Sequence, residues 1–108
     1  MLRNNLYYIV HNEQGVYTIR FDASHPIFGG HFPELPIVPG ACLVQIAEEL
    51  VTFTGGSPIH FTALRNLRFS QPITPEQEVI YVVKNMNQTL NVQILVDNVL
   101  CARFITEY

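Results

Sequence analysis

The sequence predicts an α+β fold in which one antiparallel sheet curls around a single long helix. Apolar and polar residues alternate in stretches 16–22 and 90–96, which is typical of half-buried strands. Between Pro39 and the pair Gly55-Gly56, a helical stretch is apolar over most of its circumference, so other structure must wrap it. The helix comes early, and the strands that follow it are joined mostly by short turns, which favours antiparallel pairing.

The strands are placed by their alternation and by the turn residues between them. Six candidate strands are residues 6–11, 16–22, 60–69, 79–84, 90–96 and 99–106. Residues 12–15 predict a turn between the first two strands, and Asp97-Asn98 predicts a tight hairpin turn before the last. No repeat or linker interrupts the pattern, so we expect one domain over residues 1–108.

The helix has a narrow polar arc. Stepping about 100° per residue, the apolar positions are Leu43, Val44, Ile46, Ala47, Leu50, Val51 and Phe53. The polar arc consists of Gln45, Glu48, Glu49 and Thr52. On pattern alone, a solvated stripe is the simplest interpretation of Glu48, Glu49 and Thr52.

Composition narrows the function classes. The 108 residues are 48% hydrophobic and only 14% charged, which excludes a disordered chain and suggests that a partner chain covers some apolar surface. The formal charge is −3 and Lys84 is the only lysine, so nucleic-acid binding is not expected. No stretch is long and apolar enough for a membrane span or has the form of a signal peptide. Cys42 and Cys101 lie in apolar stretches, and together these features predict a cytoplasmic protein.

No cofactor or metal is implied by the sequence. The four histidines, His11, His25, His31 and His60, do not have metal-ligand spacing, and no glycine-rich nucleotide motif is present. Cys42 lies near the start of the helix, where a thiol pKa can be lowered, although core packing is the simpler interpretation.

A stiff, apolar segment lies between the second strand and the helix. Residues 23–39 contain four prolines and two glycines among Phe, Ile, Leu and Val residues. Proline is unsuited to sheet ladders and helix interiors, so the segment is expected to be an irregular but packed loop. His31 lies within it, and imidazole is the side chain best suited to move a proton near neutral pH. Gly40 lies at the helix start, where an unpaired N–H and the helix dipole would polarise a carbonyl oxygen.

These motifs resemble the β-hydroxyacyl-acyl-carrier-protein dehydratases of the FabZ/FabA type. The resemblance rests on His-Pro-Ile-Phe-Gly-Gly-His-Phe-Pro at 25–33 and Pro-Ile-Val-Pro-Gly at 36–40, followed by the apolar helix. Residues 67–75, Leu-Arg-Phe-Ser-Gln-Pro-Ile-Thr-Pro, are similar to the strand and turn that follow the helix in this family. The resemblance implies a hotdog fold and dimers, or oligomers built from dimers, with active sites shared between subunits.

The resemblance also implies roles for particular residues. His31 matches the catalytic histidine, and Gly40 matches the glycine whose N–H holds the thioester carbonyl. Phe32, Pro39 and Ala41 are expected beside them as substrate-binding residues. Arg65 and Arg68 are the basic pair expected to meet an acyl carrier protein, the alternative being an exposed polar strand face.

One position departs from the family pattern. The family carries Glu or Asp fourteen residues after the histidine, where this chain has Gln45. An amide cannot donate a proton as a carboxylic acid does. Three interpretations stay open at this point. His31 makes both proton transfers while Gln45 holds the hydroxyl; Glu49, one turn on, supplies the carboxylate; or dehydration is lost and the chain is a thioesterase or an acyl-binding partner subunit.

Overall fold

A computed structural model describes residues 1–30 and 36–108 of the chain. Its elements in chain order are β1 (Tyr7–Glu13), β2 (Val16–Phe21), α1 (Ile27–Gly30), α2 (Gly40–Gly55), β3 (Ala63–Phe69), β4 (Glu78–Met86), β5 (Thr89–Val96) and β6 (Val99–Glu107). The six strands form one sheet in the order β1-β2-β4-β5-β6-β3, and every neighbouring pair is antiparallel. The predicted antiparallel sheet with one long helix is confirmed.

Three tight turns make the hairpins β1–β2, β4–β5 and β5–β6. Each turn has two consecutive residues with positive φ: Gln14-Gly15, Asn87-Gln88 and Asp97-Asn98. This backbone matches the right-handed twist of the flanking strands, so the short connections set the strand register. The turn predicted at Asp97-Asn98 is confirmed, and β5 and β6 pair directly on either side of it, Val96 opposite Val99.

Helix α2 packs against one face of the sheet. Its buried residues are Leu43, Ile46, Ala47, Leu50 and Val51. Two tyrosines from the sheet bond to the helix: the Tyr81 hydroxyl donates to the Leu43 carbonyl at 2.8 Å, and the Tyr17 hydroxyl lies 2.7 Å from the Thr54 hydroxyl. These contacts fix the helix along its whole length, since Leu43 is in its first turn and Thr54 in its last.

The ends of α2 follow the sequence signals. Pro39 is the N-cap, and Gly56 ends the helix in the left-handed conformation at φ 78°. Phe53, expected to be wrapped, is instead 45% exposed, and the Arg3 guanidinium lies 4.6 Å from the centre of its ring. Within the two described ranges, no helix combines the length and the hydropathy that a membrane crossing requires.

Two elements differ from the expectation. The short helix α1 occupies part of the segment expected to be irregular, and Phe28 from it is buried against Phe21 with the two rings edge to face. Strand β3 begins at Ala63 rather than residue 60, because the N–H groups of Ile59 and Phe61 donate to side chains of α2, while Thr62 already bonds to Glu107 of β6. Both differences come from tertiary contacts that a local pattern does not contain.

Candidate functional site

A mostly apolar cleft of about 350 Å³ opens at the N-terminal end of α2. Its lining comes from the chain before the helix, the first helical turn and the chain from the end of β3: Ile37, Val38, Gly40, Leu43, Phe69, Ser70, Gln71, Pro72 and Ile73. A volume of this order suits a small ligand or the end of an acyl chain. The backbone N–H of Val38 donates to the Ile73 carbonyl at 2.8 Å, which joins two walls of the cleft.

The start of α2, beside this cleft, has two backbone N–H groups without an acceptor among the described residues. The N–H groups of Cys42 and Leu43 donate to the Pro39 carbonyl at 3.0 and 3.2 Å, whereas no acceptor for the N–H of Gly40 or Ala41 lies within residues 1–30 and 36–108. Pro39 provides no side-chain cap, and the first turn contains no acidic residue. Neither a side-chain cap nor an acidic residue of the first turn therefore offsets the positive end of the helix dipole. This end lies where Gly40 lines the cleft.

Gly40 is confined by an aromatic ring. A Cβ atom at this position would lie 2.8 Å from Cζ of Phe69 and 2.9 Å from its Cε2, closer than real contacts allow. The ring of Phe69 therefore packs directly on the helix start. Because Gly40 has no side chain, the ring of Phe69 can form a wall of the cleft next to the Gly40 N–H.

Glu49 is the most heavily bonded carboxylate in the described part of the chain. Its Oε2 accepts from the Leu2 N–H at 2.8 Å and from Gln45 Nε2 at 3.1 Å. Its Oε1 accepts from the Arg3 N–H at 2.9 Å and from the Tyr7 hydroxyl at 3.1 Å. Both oxygens thus have two donors each, which fills the usual acceptor capacity of a carboxylate.

The Tyr7 hydroxyl is held as a donor in this cluster. Burial, reinforced by the charge of Glu49 and the hydrogen bond to it, raises the pKa of Tyr7 above its ordinary value. Tyr7 therefore keeps its proton throughout the neutral range and donates it to Glu49. Together with Leu2 and Arg3, it makes Glu49 the point where residues 2–7, the leading segment, attach to α2.

Apart from the exposed Gln45, the polar arc of α2 bonds to other segments of the chain rather than facing only solvent. Glu48 Oε2 accepts from the Phe61 N–H at 2.8 Å. The Thr52 hydroxyl accepts from the Ile59 N–H at 3.1 Å and lies 3.3 Å from the Ile59 carbonyl. The chain returning from the helix to β3 is therefore fixed to the arc, which sequence reasoning had treated as a stripe facing water.

The structure separates the candidate residues into two places. Gly40 lines the cleft, with Pro39 and Ala41 beside it in sequence at the helix start. Gln45 is exposed and, with Glu49, lies outside the lining of the cleft, one to three turns along the helix. His31 and Phe32 lie outside the described residues.

His25, the other histidine of the loop motif, has both ring nitrogens engaged. Nε2 lies 2.6 Å from the Asn5 Oδ1, which can only accept, so Nε2 donates. Nδ1 accepts from the Ile27 N–H at 3.1 Å. His25 thus links the leading segment to α1.

Neither a reactive thiol nor a metal cluster is found in the part of the chain that the structure describes. Burial raises the pKa of the Cys42 thiol, which disfavours the thiolate needed for nucleophilic chemistry. Residues 1–30 and 36–108 contain no group of three or more His, Cys, Asp or Glu side chains placed to hold a metal ion.

The two arginines singled out in the sequence lie on β3. Arg65 is 3.5 Å from the Glu107 carboxylate on β6, and both side chains are half-exposed. Arg68 is opposite Arg103 of β6 in the register, so two like charges face each other across neighbouring strands. Arg103 was not recognised in the sequence, because only the pairing of β3 with β6 brings it to the other two.

The chain is similar to known dehydratases. The family model described as ApeI-like, ApeI dehydratase, matches residues 9–103. The 3-hydroxyacyl-acyl-carrier-protein dehydratase FabZ of Rhizobium etli is 36% identical over 76 residues, which cover 64% of this chain and 49% of that protein. The chain spans about half the length of the curated relatives it matches.

Solved structures show the same fold. A chain from the dehydratase heterocomplex ApeI:P of Xenorhabdus doucetiae superposes with a TM-score of 0.76 at 17% identity, covering 92% of this chain and 94% of that one. A thioesterase-superfamily protein superposes with a TM-score of 0.62 at 14% identity, covering 93% and 80%. The fold is therefore the hotdog fold, as the sequence resemblance implied.

Proposed function

Because the chain belongs to the ApeI-like dehydratase family, whose model covers residues 9–103, we propose that it dehydrates a 3-hydroxyacyl thioester. The substrate class follows the curated relatives, which act on 3-hydroxyacyl groups carried by acyl carrier protein. The observation that carries the proposal is the Gly40 N–H, which has no acceptor among residues 1–30 and 36–108 and lies at the positive end of α2, where Gly40 lines an apolar cleft. Such a donor suits a thioester carbonyl, and the cleft suits the apolar groups next to it.

The proposed reaction is a β-elimination. The Gly40 N–H donates to the thioester oxygen and stabilises the negative charge that develops there. His31 removes the proton from C2, the electron pair of that C–H bond forms the C2–C3 double bond, and the C3–O bond breaks. The imidazolium of His31 then returns the proton to the departing hydroxyl, so water leaves and His31 is neutral again.

In this scheme Gln45 binds the departing hydroxyl rather than protonating it. Its amide has both a carbonyl oxygen and N–H groups, so it can hold a hydroxyl or a water in place, but it has no acidic proton. Loss of an acid at this position costs about 10²–10⁴ in rate by general experience with acid–base catalysis. We therefore expect slow turnover compared with relatives that carry a carboxylate there.

The site is proposed to be shared between two chains. Gly40 lines the cleft while Gln45 lies outside its lining, so one chain by itself leaves the amide away from the thioester position. In a dimer, Gln45 of one protomer completes the cleft of its partner. Carrier-protein docking on Arg65 and Arg68, beside Arg103, is proposed on the charge of that surface, since acyl carrier proteins are acidic.

The test is the activity of His31→Ala on a 3-hydroxyacyl thioester, with His11→Ala as the matched control. His11 is an exposed residue of β1 away from the cleft, so its loss should leave turnover within about twofold. His31→Ala should lower kcat by at least about 10²-fold with unchanged unfolding midpoint. Turnover of His31→Ala close to that of the unsubstituted chain would contradict the proposed base.

A second candidate is a partner subunit of a mixed dehydratase. Two observations favour it: Gln45 occupies the acid position, and the structure from Xenorhabdus doucetiae is described as a heterocomplex. Here the acid would come from a related chain that carries the carboxylate. The thioesterase-superfamily likeness, at 14% identity, establishes the fold alone and adds no support for hydrolysis.

A further inference from the structure

The pair Gln45 and Glu49 on α2 has a defined chemical orientation. Gln45 Nε2 lies 3.1 Å from Glu49 Oε2. A carboxylate oxygen only accepts, so the nitrogen and not the oxygen of the amide must face Glu49. Reversing the amide would bring two acceptors together. The contact therefore directs the carbonyl oxygen of Gln45 away from Glu49.

The other three donors hold Glu49 in place. The N–H groups of Leu2 and Arg3 and the hydroxyl of Tyr7 all come from the leading segment. With these bonds on both oxygens, the carboxylate is tied to backbone at two points and to a buried tyrosine at a third. Rotation of the Glu49 carboxylate away from Gln45 would break these three hydrogen bonds.

We infer that Glu49 is a positioning residue that fixes the orientation of the Gln45 amide, and that it is not the proton donor of the reaction. All four partners of Glu49 are donors, so every contact uses it as an acceptor. The fixed amide offers its carbonyl oxygen and its second N–H to whatever binds beside α2. A carbonyl oxygen held in this orientation accepts a hydrogen bond from a hydroxyl or from a water. The positioning role rests on the proposed dehydration, while the fixed orientation does not.

The hydrogen-bonding demand at position 49 explains why the helix carries its carboxylate there and its amide at position 45. At position 49 the leading segment needs an acceptor for two backbone N–H groups and a hydroxyl, which an amide oxygen alone would serve poorly. Glu49 meets this demand and has one acceptor position left, directed along the helix one turn back to Gln45.

The experiment compares Glu49→Gln, Gln45→Ala and the double variant, with Tyr17→Phe as the matched control. Glu49→Gln keeps the shape but offers both a donor and an acceptor, so the Gln45 amide loses its single orientation. We expect kcat to fall about tenfold in the Gln45 background and less than twofold in the Gln45→Ala background. Tyr17→Phe removes a tyrosine hydroxyl that contacts α2 at Thr54, away from Gln45 and Glu49, so it should cost stability but little turnover.

A second measurement is independent of activity. The side-chain NH₂ resonances of Gln45 should show one hydrogen-bonded, exchange-protected proton that Tyr17→Phe preserves and Glu49→Gln abolishes. Unchanged Gln45 resonances in Glu49→Gln would overturn the inference, as would equal losses of kcat in both backgrounds, which would make Glu49 the acid. If the chain, as a homodimer or with an acid-bearing partner, dehydrates no 3-hydroxyacyl thioester, the proposed function fails, and the resonances still decide whether Glu49 orients Gln45.

Discussion

The chemistry proposed for this chain depends on one functional group, the side-chain amide of Gln45. An amide and a carboxyl have nearly the same shape, so the substitution keeps hydrogen bonding and removes only the proton that can be given away. Its neighbour Glu49 is the nearest carboxylate one turn along the helix, but its oxygens are already bonded to four donors. For the proposed reaction, this turn of α2 therefore offers a carboxylate that acts as an acceptor and an amide that has no acidic proton.

Restoring the carboxyl is the direct test of this reasoning. We expect Gln45→Glu to raise dehydration of a 3-hydroxyacyl thioester by about 10²-fold, because it adds a general acid at the family's position. The nearby negative charge of Glu49 should raise the pKa of the introduced carboxyl. The gain is therefore present at pH values below that raised pKa and is lost as pH rises through it, in a profile measured from about pH 6 to 9.

Gln71→Glu is the matched control for this experiment, because Gln71 is a glutamine that lines the cleft but does not belong to the helix. It makes the same change from amide to carboxyl at a different place, within the lining of the cleft, and we expect no gain from it. A partner subunit would show no gain for Gln45→Glu either when assayed alone. A strong loss on Gln45→Glu would contradict the general-acid argument and make the neutral amide itself a requirement.

At the level of single residues, the sequence predicts which residues are unusual better than it predicts the structural reason for each. The unusual glycine at the helix start was recognised, but its steric reason, the Phe69 ring against Gly40, depends on a residue 29 positions away. The polar arc was recognised too, yet helical periodicity says which side of a helix is polar and not what covers it. His31 and Phe32 remain predictions, since both lie outside the described residues.

At the level of elements, the polar arc of α2 joins the helix to the chain on both sides of it. Glu49 holds the leading segment, and Glu48 with Thr52 holds the return to β3. The helix offers charged and hydroxyl acceptors to backbone N–H groups that belong to no strand. For two irregular segments, these hydrogen bonds take the place of the backbone hydrogen bonds that a sheet would provide. They also hold the helix in position.

Removing one of these acceptors should loosen the return segment. We expect Glu48→Ala to lower the free energy of unfolding by about 1–2 kcal/mol, because a half-buried N–H of Phe61 loses a charged acceptor. Urea unfolding measures the loss, and hydrogen exchange at the Phe61 amide should accelerate beyond the global change. Glu76→Ala, an exposed change of the same kind, should alter neither. Normal protection of Phe61 in Glu48→Ala would show that the bond contributes nothing.

Hairpins were predictable as elements because their signals are local. Alternation and two-residue turns are contained in a few consecutive positions, and β5, Asp97-Asn98 and β6 all lie within two residues of their expected bounds. Helix α1 and the late start of β3 were not predictable this way. Phe28 of α1 packs on Phe21, and residues 59 and 61 bond to α2, so both depend on contacts distant in sequence.

At the level of the whole molecule, the sheet has two unpaired edges, β1 and β3. Strand β3 is exposed through most of its length and carries Leu64, Leu67 and Phe69 with 43–47% of each surface open. Phe69 is also a wall of the cleft. An edge strand with free backbone groups and apolar side chains is prone to pair with another chain. A second copy at this edge would lie next to Gly40, as a shared site requires.

We therefore expect a homodimer that forms through β3, and charges placed on that edge should split it. Leu64→Asp combined with Leu67→Asp brings like charges together in two facing copies, so light scattering at micromolar concentration should report a monomer. The matched control is Tyr8→Asp with Val10→Asp, which makes the same change on the exposed face of β1, the other edge. Dehydration should disappear with the dimer, because Gln45 and the cleft then stay apart. The placement of the interface at β3 would be contradicted if the dimer persisted in the β3 variant, or if the β1 variant dissociated instead. If the unsubstituted chain were monomeric, there would be no shared site.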